Sequence, residues 1–355
     1  MVVGHDLGGH CLRALVPGII TVTATVDDPE NEMQRRDFMA LSTGLLAAGA
    51  LPSAISAILP AAAGDTSDAQ EFIAARRHVR TAFGDIACVE RGTGVAALFL
   101  HGFPLNGFQW RGALARLSPY RRCIAPDFLG LGYTQVAEGQ SVAPDAQVAM
   151  LVALLDALDV DVADVVANDS GGAVAQLLLA RHPQRVRSIL LTNCDAETDC
   201  PPAALLPVIE LAKNGKFVDE WLAPWLADKE LARSPQGLGG LTFTYPQQLA
   251  DSTIDYYLSP LVDHPAQTHA YAIALATNVL AGIEPVLKQS RVPARIVWGT
   301  GDDIFSPGSA DYLNRSLGGS RGVRRVPDAK LFFPEEFPDL IASEARQLWG
   351  VADHR

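Results

Sequence analysis

Asp164-Val165-Val166-Ala167-Asn168-Asp169-Ser170-Gly171-Gly172-Ala173 decides how the rest of the chain is read. An apolar run passes into polar residues and two glycines, and a helical pattern follows to Arg181. That order predicts a strand over 162–167, a sharp turn, and a helix over 173–181. Such a turn exposes its central side chain and sets backbone N–H groups of the helix start beside it. Asp169 and Ser170 compete for the exposed place.

Working outward, similar apolar runs recur. Ala96–Leu100 runs into His101-Gly102, and Arg121–Asp127 is closed by Gly130 and Gly132. Ser188–Thr192 and Ala294–Gly299 read as further buried strands, while 81–90 has the alternation of a hairpin edge. Val148, Leu151, Val152, Leu155 and Leu158 fall at helical spacing over 146–158. Strand and helix alternate, which predicts an α/β fold with a mostly parallel central sheet and helices on both faces. Between 197 and 287 the alternation stops, and a helical pattern carries Trp221, Trp225, Phe243, Tyr245, Tyr256, Tyr257 and Tyr271. We read 79–196 and 288–350 as the core and 197–287 as a helical cap over the strand ends, where ligands of such sheets bind.

Composition narrows the function classes. The 355 residues are 48% hydrophobic and 19% charged, which predicts a buried core rather than disorder. A net charge of −12 argues against a nucleic-acid partner, and the aromatic and aliphatic cap makes a small-molecule substrate the expected one. Cys11, Cys88, Cys123, Cys194 and Cys200 lack metal-ligand spacing, so neither metal nor cofactor is expected. Cys194 and Cys200 could pair in an oxidising compartment or stay as two thiols. Oligomeric state is not readable.

The N-terminal region has another character. Gln34-Arg35-Arg36-Asp37-Phe38-Met39 precedes a weakly apolar run, Ala40 to Ala63, broken by Pro52 and Pro60. This is the layout of a twin-arginine export signal over 33–63, with 1–32 as an upstream extension before a start at Met33. It predicts a periplasmic protein without stable membrane anchoring once the signal is removed, or a cytoplasmic one if the signal is unused. Val2 to Gly9 imitates the strand-to-turn pattern, but too little chain precedes it to build the strands, so Asp6 is set aside.

On four motifs in order, residues 79–350 resemble the α/β-hydrolase superfamily. His101-Gly102-Phe103-Pro104 with Trp110-Arg111 resembles its oxyanion loop, and Asp127-Phe128-Leu129-Gly130-Leu131-Gly132 the next turn. The Asn168-Asp169-Ser170-Gly171-Gly172 turn resembles its nucleophile elbow, and Trp298-Gly299-Thr300-Gly301-Asp302 its acid-bearing loop. The resemblance puts the nucleophile one residue before x-Gly-Gly, at Asp169, as in haloalkane dehalogenases and epoxide hydrolases. It implies attack of a carboxylate on an electrophilic carbon, an ester intermediate, and backbone N–H donors from Phe103 and Ser170. The simpler reading of Asp169 is a helix N-cap.

The same resemblance exposes a departure. Counting back from Pro338 in Asp328-Ala329-Lys330-Leu331-Phe332-Phe333-Pro334-Glu335-Glu336-Phe337-Pro338, the family's base histidine falls on Leu331. A leucine accepts no proton, so the water step loses its general base. Asp302 and Asp195 are the two candidates for the third, orienting carboxylate, and Trp110, Tyr256 and Tyr257 are expected near the pocket. Phe103 and Ser170 stand where many haloalkane dehalogenases have a polar residue and a tryptophan. Aromatic residues of a helical cap also serve simply as packing. Other readings stay open: a serine esterase through Ser170, a binding protein without turnover, or a lyase or isomerase that needs no water.

Overall fold

The computed structural model describes residues 66–137 and 139–352; the readings on residues 1–63 and on Cys11 lie outside them. Nine strands follow one another as β1 (Arg76–Thr81), β2 (Gly84–Arg91), β3 (Ala96–Leu100), β4 (Arg122–Pro126), β5 (Gln135–Val136), β6 (Ala163–Asp169), β7 (Val186–Cys194), β8 (Ala294–Gly299) and β9 (Ser320–Val326). They form one sheet in the order β1-β2-β4-β3-β6-β7-β8-β9, with β5 paired to β2. From β4 through β9 neighbouring strands are parallel, while β1, β2 and β5 are joined antiparallel.

Burial explains that order. Every residue of β3 and β6 is buried, as a parallel strand covered on both faces must be. Arg111–Leu117 packs against Pro338–Trp349, and Pro144–Ala157 against Ser170–Arg181. The edges differ. Arg-Arg-His-Val-Arg-Thr in β1 and Ser-Arg-Gly-Val-Arg-Arg-Val in β9 present charges that discourage pairing with another chain.

The observed limits refine the sequence reading. Thr81 ends β1 and the chain turns before Gly84, so 81–90 spans a hairpin turn and its second strand. The helix read over 146–158 is Pro144–Ala157, opened by a proline at its first turn. The central strand runs two residues beyond 167, Asn168 pairing with Thr192 and Asp169 with Cys194. The helix after it begins at Ser170 rather than 173, because both glycines are already helical. Between β7 and β8 the helices Leu206–Lys213, Ala223–Ala227, Lys229–Arg233, Leu238–Thr242, Asp251–Asp263, Pro265–Ala274 and Glu284–Gln289 make up the insertion.

Candidate active site

The close approach of three elements makes the turn after β6 dependent on glycine. A Cβ on Gly171 would lie 2.4 Å from the His101 carbonyl oxygen, and one on Gly172 2.3 Å from the Cβ of Cys194. Asp169 itself sits at φ 53° and ψ −133°. A non-glycine residue held there costs about 1–3 kcal/mol, which the packing around it must offset.

That strained backbone turns the Asp169 side chain away from the helix. It makes no N-cap hydrogen bond to the turn that follows Ser170; its Oδ2 instead accepts from the Phe103 N–H at 2.6 Å. The N-cap reading therefore does not describe this residue. Asp169 is 8% exposed, and burial pushes its carboxyl up to about 7. The N–H groups of Phe103 and Ser170 pull it down, and the nearby Asp302 pushes it up.

Asp169 opens onto a cavity of about 70 Å³. Phe103, Phe217, Trp221, Trp225, Leu241 and Leu331 line it, with Thr242 as the other polar side chain. Thr242 is already committed, its hydroxyl donating to the Leu238 carbonyl at 2.6 Å. Phe217, Trp221 and Trp225 recur every four residues and so share one helical face. Their rings touch in series at 5.9 and 5.6 Å, and Phe103 continues the row at 5.8 Å from Phe217. The spacing of four was the signal in the sequence that could have picked out this wall.

Leu331 is buried and lines the same cavity, in the loop after β9. A hydrogen-bonded chain ties that loop to the elbow. Gln109 Nε2 donates to Asn168 Oδ1 at 2.6 Å, and Asn168 Nδ2 donates to the carbonyls of Asn193 and Leu331 at 3.0 and 3.1 Å. Asn193 Nδ2 in turn donates to Asp302 Oδ2 at 2.8 Å. Of these three amides, Gln109 and Asn193 were indicated by no sequence motif.

The two candidate third carboxylates lie beside the elbow, and neither lines the cavity. Asp302 is buried, its Oδ1 accepting from the Ile304 N–H at 2.9 Å, and burial raises its carboxyl to about 6. Asp195 is buried too, and desolvation, then the charge of Asp169, hold it well above the usual carboxylate range. Ser170 points elsewhere: its hydroxyl pairs with the Tyr271 hydroxyl at 3.3 Å, and the Tyr271 ring stacks on Phe103 at 5.4 Å.

Three residues expected at the pocket are placed apart from it. Trp110 is fully buried beneath the sheet, its ring 5.7 Å from that of Phe99. Tyr256 packs with Phe72, Phe108 and Tyr133, and its hydroxyl accepts from Arg76. Tyr257 donates to Glu335 Oε2 at 2.6 Å, beside the Arg111–Glu335 ion pair. Asp251–Asp263 turns these tyrosines toward the core, whereas Pro265–Ala274 brings Tyr271 to the elbow.

No histidine among the described residues lines the cavity. His101 is structural: Nδ1 bonds the Gly102 carbonyl at 2.8 Å while Nε2 accepts from the Phe128 N–H at 3.0 Å. That pattern fixes a neutral ring with its proton on Nδ1, and burial lowers its pKa to about 4. His269 accepts from the Val218 N–H. Among the described residues no group of three or more His, Cys, Asp or Glu side chains could hold a metal ion, and no helix is long and apolar enough to cross a membrane. Cys88, Cys123, Cys194 and Cys200 are free thiols, so Cys194 and Cys200 are unpaired here.

Comparison with known proteins gives a consistent family. A model of the alpha/beta hydrolase fold matches residues 97–337. The 2-hydroxymuconate semialdehyde hydrolase of Pseudomonas sp. (strain CF600) is 37% identical over 105 residues, 29% of this chain and 37% of that protein, so the match spans little more than a third of that relative. Haloalkane dehalogenase 2 of Mycobacterium tuberculosis (strain ATCC 25618 / H37Rv) is 26% identical over 293 residues, 80% of this chain and 98% of that one. The solved epoxide hydrolase CorEH has a TM-score of 0.64 at 16% identity, covering 78% of this chain and 98% of its own, a likeness of fold.

Proposed function

Because this chain belongs to the alpha/beta hydrolase fold family, we propose that it is a hydrolase acting through Asp169 on a small molecule with an electrophilic carbon and a mostly apolar surface. One observation carries the reading: at the mouth of an apolar cavity, Asp169 Oδ2 is held at 2.6 Å by the Phe103 N–H. Oδ1 is thereby the oxygen left to attack. A bond from Oδ1 to a saturated substrate carbon forms as that carbon's bond to a halide, an epoxide oxygen or the alkyl oxygen of an ester breaks, and the electron pair leaves with that group. The new ester keeps Oδ2 as its carbonyl oxygen, already beside the donor that stabilises negative charge when water attacks. Tyr271, whose hydroxyl meets that of Ser170 at 3.3 Å, brings a proton donor beside the elbow for a leaving oxygen that needs one.

The water step is the slow one in this reading. Leu331 stands in the cavity where a base would draw a proton from water, and Asp302 is occupied with Asn193 and backbone N–H groups. Leu331 also favours a second reading, a binding protein whose turnover is lost. Incubation with a panel of epoxides, haloalkanes and activated esters separates the two. Substrate consumption by the native protein that Asp169→Asn abolishes supports the hydrolase, and consumption unchanged by that substitution rejects Asp169 as the nucleophile.

A further inference from the structure

The cavity is unusual in its charge balance. Among the described residues that line it, Asp169 is the one ionisable side chain, and no lysine, arginine or histidine accompanies it. The groups that act on its titration are burial, two backbone N–H groups and another carboxylate, Asp302. A buried carboxylate without a counter-charge is costly, and an entering cation relieves that cost. The walls are equally specific. Phe103, Phe217, Trp221 and Trp225 form a continuous row of rings in the wall of the cavity that Asp169 also lines, the surface that attracts diffuse cations through ring quadrupoles.

We infer that the cavity takes a small onium cation, a sulfonium or quaternary ammonium whose positive charge is spread over methyl or methylene groups. Such a head has the apolar surface that Leu241, Ile304 and Leu331 call for and the charge that Asp169 lacks. The inference rests on Asp169 being the group that meets the substrate, and it narrows that reading to one substrate class. The chemistry balances without further parts. As the Oδ1–carbon bond forms, the carbon–sulfur or carbon–nitrogen bond breaks and its electron pair stays on the heteroatom. A neutral thioether or amine departs, and carboxylate and cation charges cancel. No proton donor or anion cradle is needed, and the lining residues supply no cationic side chain to hold a departing anion.

Calorimetric titration with choline and with its neutral carbon isostere, 3,3-dimethylbutan-1-ol, tests the inference on the full chain. The expected result is binding of choline tighter by about tenfold or more, a preference that Asp169→Asn removes and Trp221→Leu reduces. Trimethylsulfonium should also leave one methyl group on the peptide carrying Asp169. Equal binding of the two isosteres, or a choline preference that survives Asp169→Asn, overturns the inference. Alkylation of Asp169 by neutral epoxides or haloalkanes with no cation preference also overturns it, while leaving the nucleophile reading intact. Failure of every alkylating probe, charged or neutral, counts against both.

Discussion

Asp169 and Leu331 line the same cavity, the carboxylate at the end of β6 and the leucine in the loop after β9. An ester formed on Asp169 would therefore meet an aliphatic wall where water needs a proton acceptor. Leu331→His should speed release of product from a preformed adduct by about a hundredfold or more, the usual contribution of a positioned general base. Stopped-flow formation of the adduct followed by product release checks this. An unchanged release rate would show that the missing imidazole is not what limits the step.

Asp169 titrates near about 7 because burial disfavours its charged form, and only that form attacks. Adduct formation should rise with pH and level off above that value. Stability should run the other way. A carboxyl raised in the folded state from its ordinary 3.8 adds stability below that pH and loses it as pH climbs through about 7. Thermal melts of native protein across this window should fall with rising pH more steeply than those of Asp169→Asn.

Gly171→Ala should destabilise the protein by about 1–3 kcal/mol, the cost of forcing a group into a well-packed site. The added Cβ would lie 2.4 Å from the His101 carbonyl and 2.7 Å from that of Leu100, both backbone atoms with little room to move. Denaturant unfolding reads the change. A variant as stable as the native chain would mean that the elbow is looser than described.

Ser170→Ala should leave alkylation of Asp169 nearly unchanged. The Ser170 backbone N–H survives the substitution, and the hydroxyl it removes is engaged with Tyr271 rather than with a base. A fluorophosphonate should not label the native protein. Labelling at Ser170 would restore the esterase reading.

Most of the sheet was legible because its buried strands are continuous apolar runs, as Ala96–Leu100 and Ala294–Gly299 are. β9 was not, since Ser-Arg-Gly-Val-Arg-Arg-Val has the polarity of a loop and gains its strand form from pairing with β8. At the site, Asp169, Phe103 and Leu331 could be placed by motif spacing, and they meet at one cavity. Tyr256 and Tyr257 could not be told from Tyr271, because the facing of a helix depends on what it packs against. The Gln109–Asn168–Asn193–Asp302 chain joins residues far apart in sequence through amide contacts that leave no periodic trace.

The bond to Asp169 is tested most directly by intact-mass measurement after incubation with reactive epoxides, haloalkanes and onium salts, followed by mapping of the modified peptide. A stable adduct of one alkyl group per chain, located on Asp169 and absent from Asp169→Asn, is the predicted result. An adduct on Ser170 or any other side chain, or substrate turnover that persists in Asp169→Asn, would contradict it.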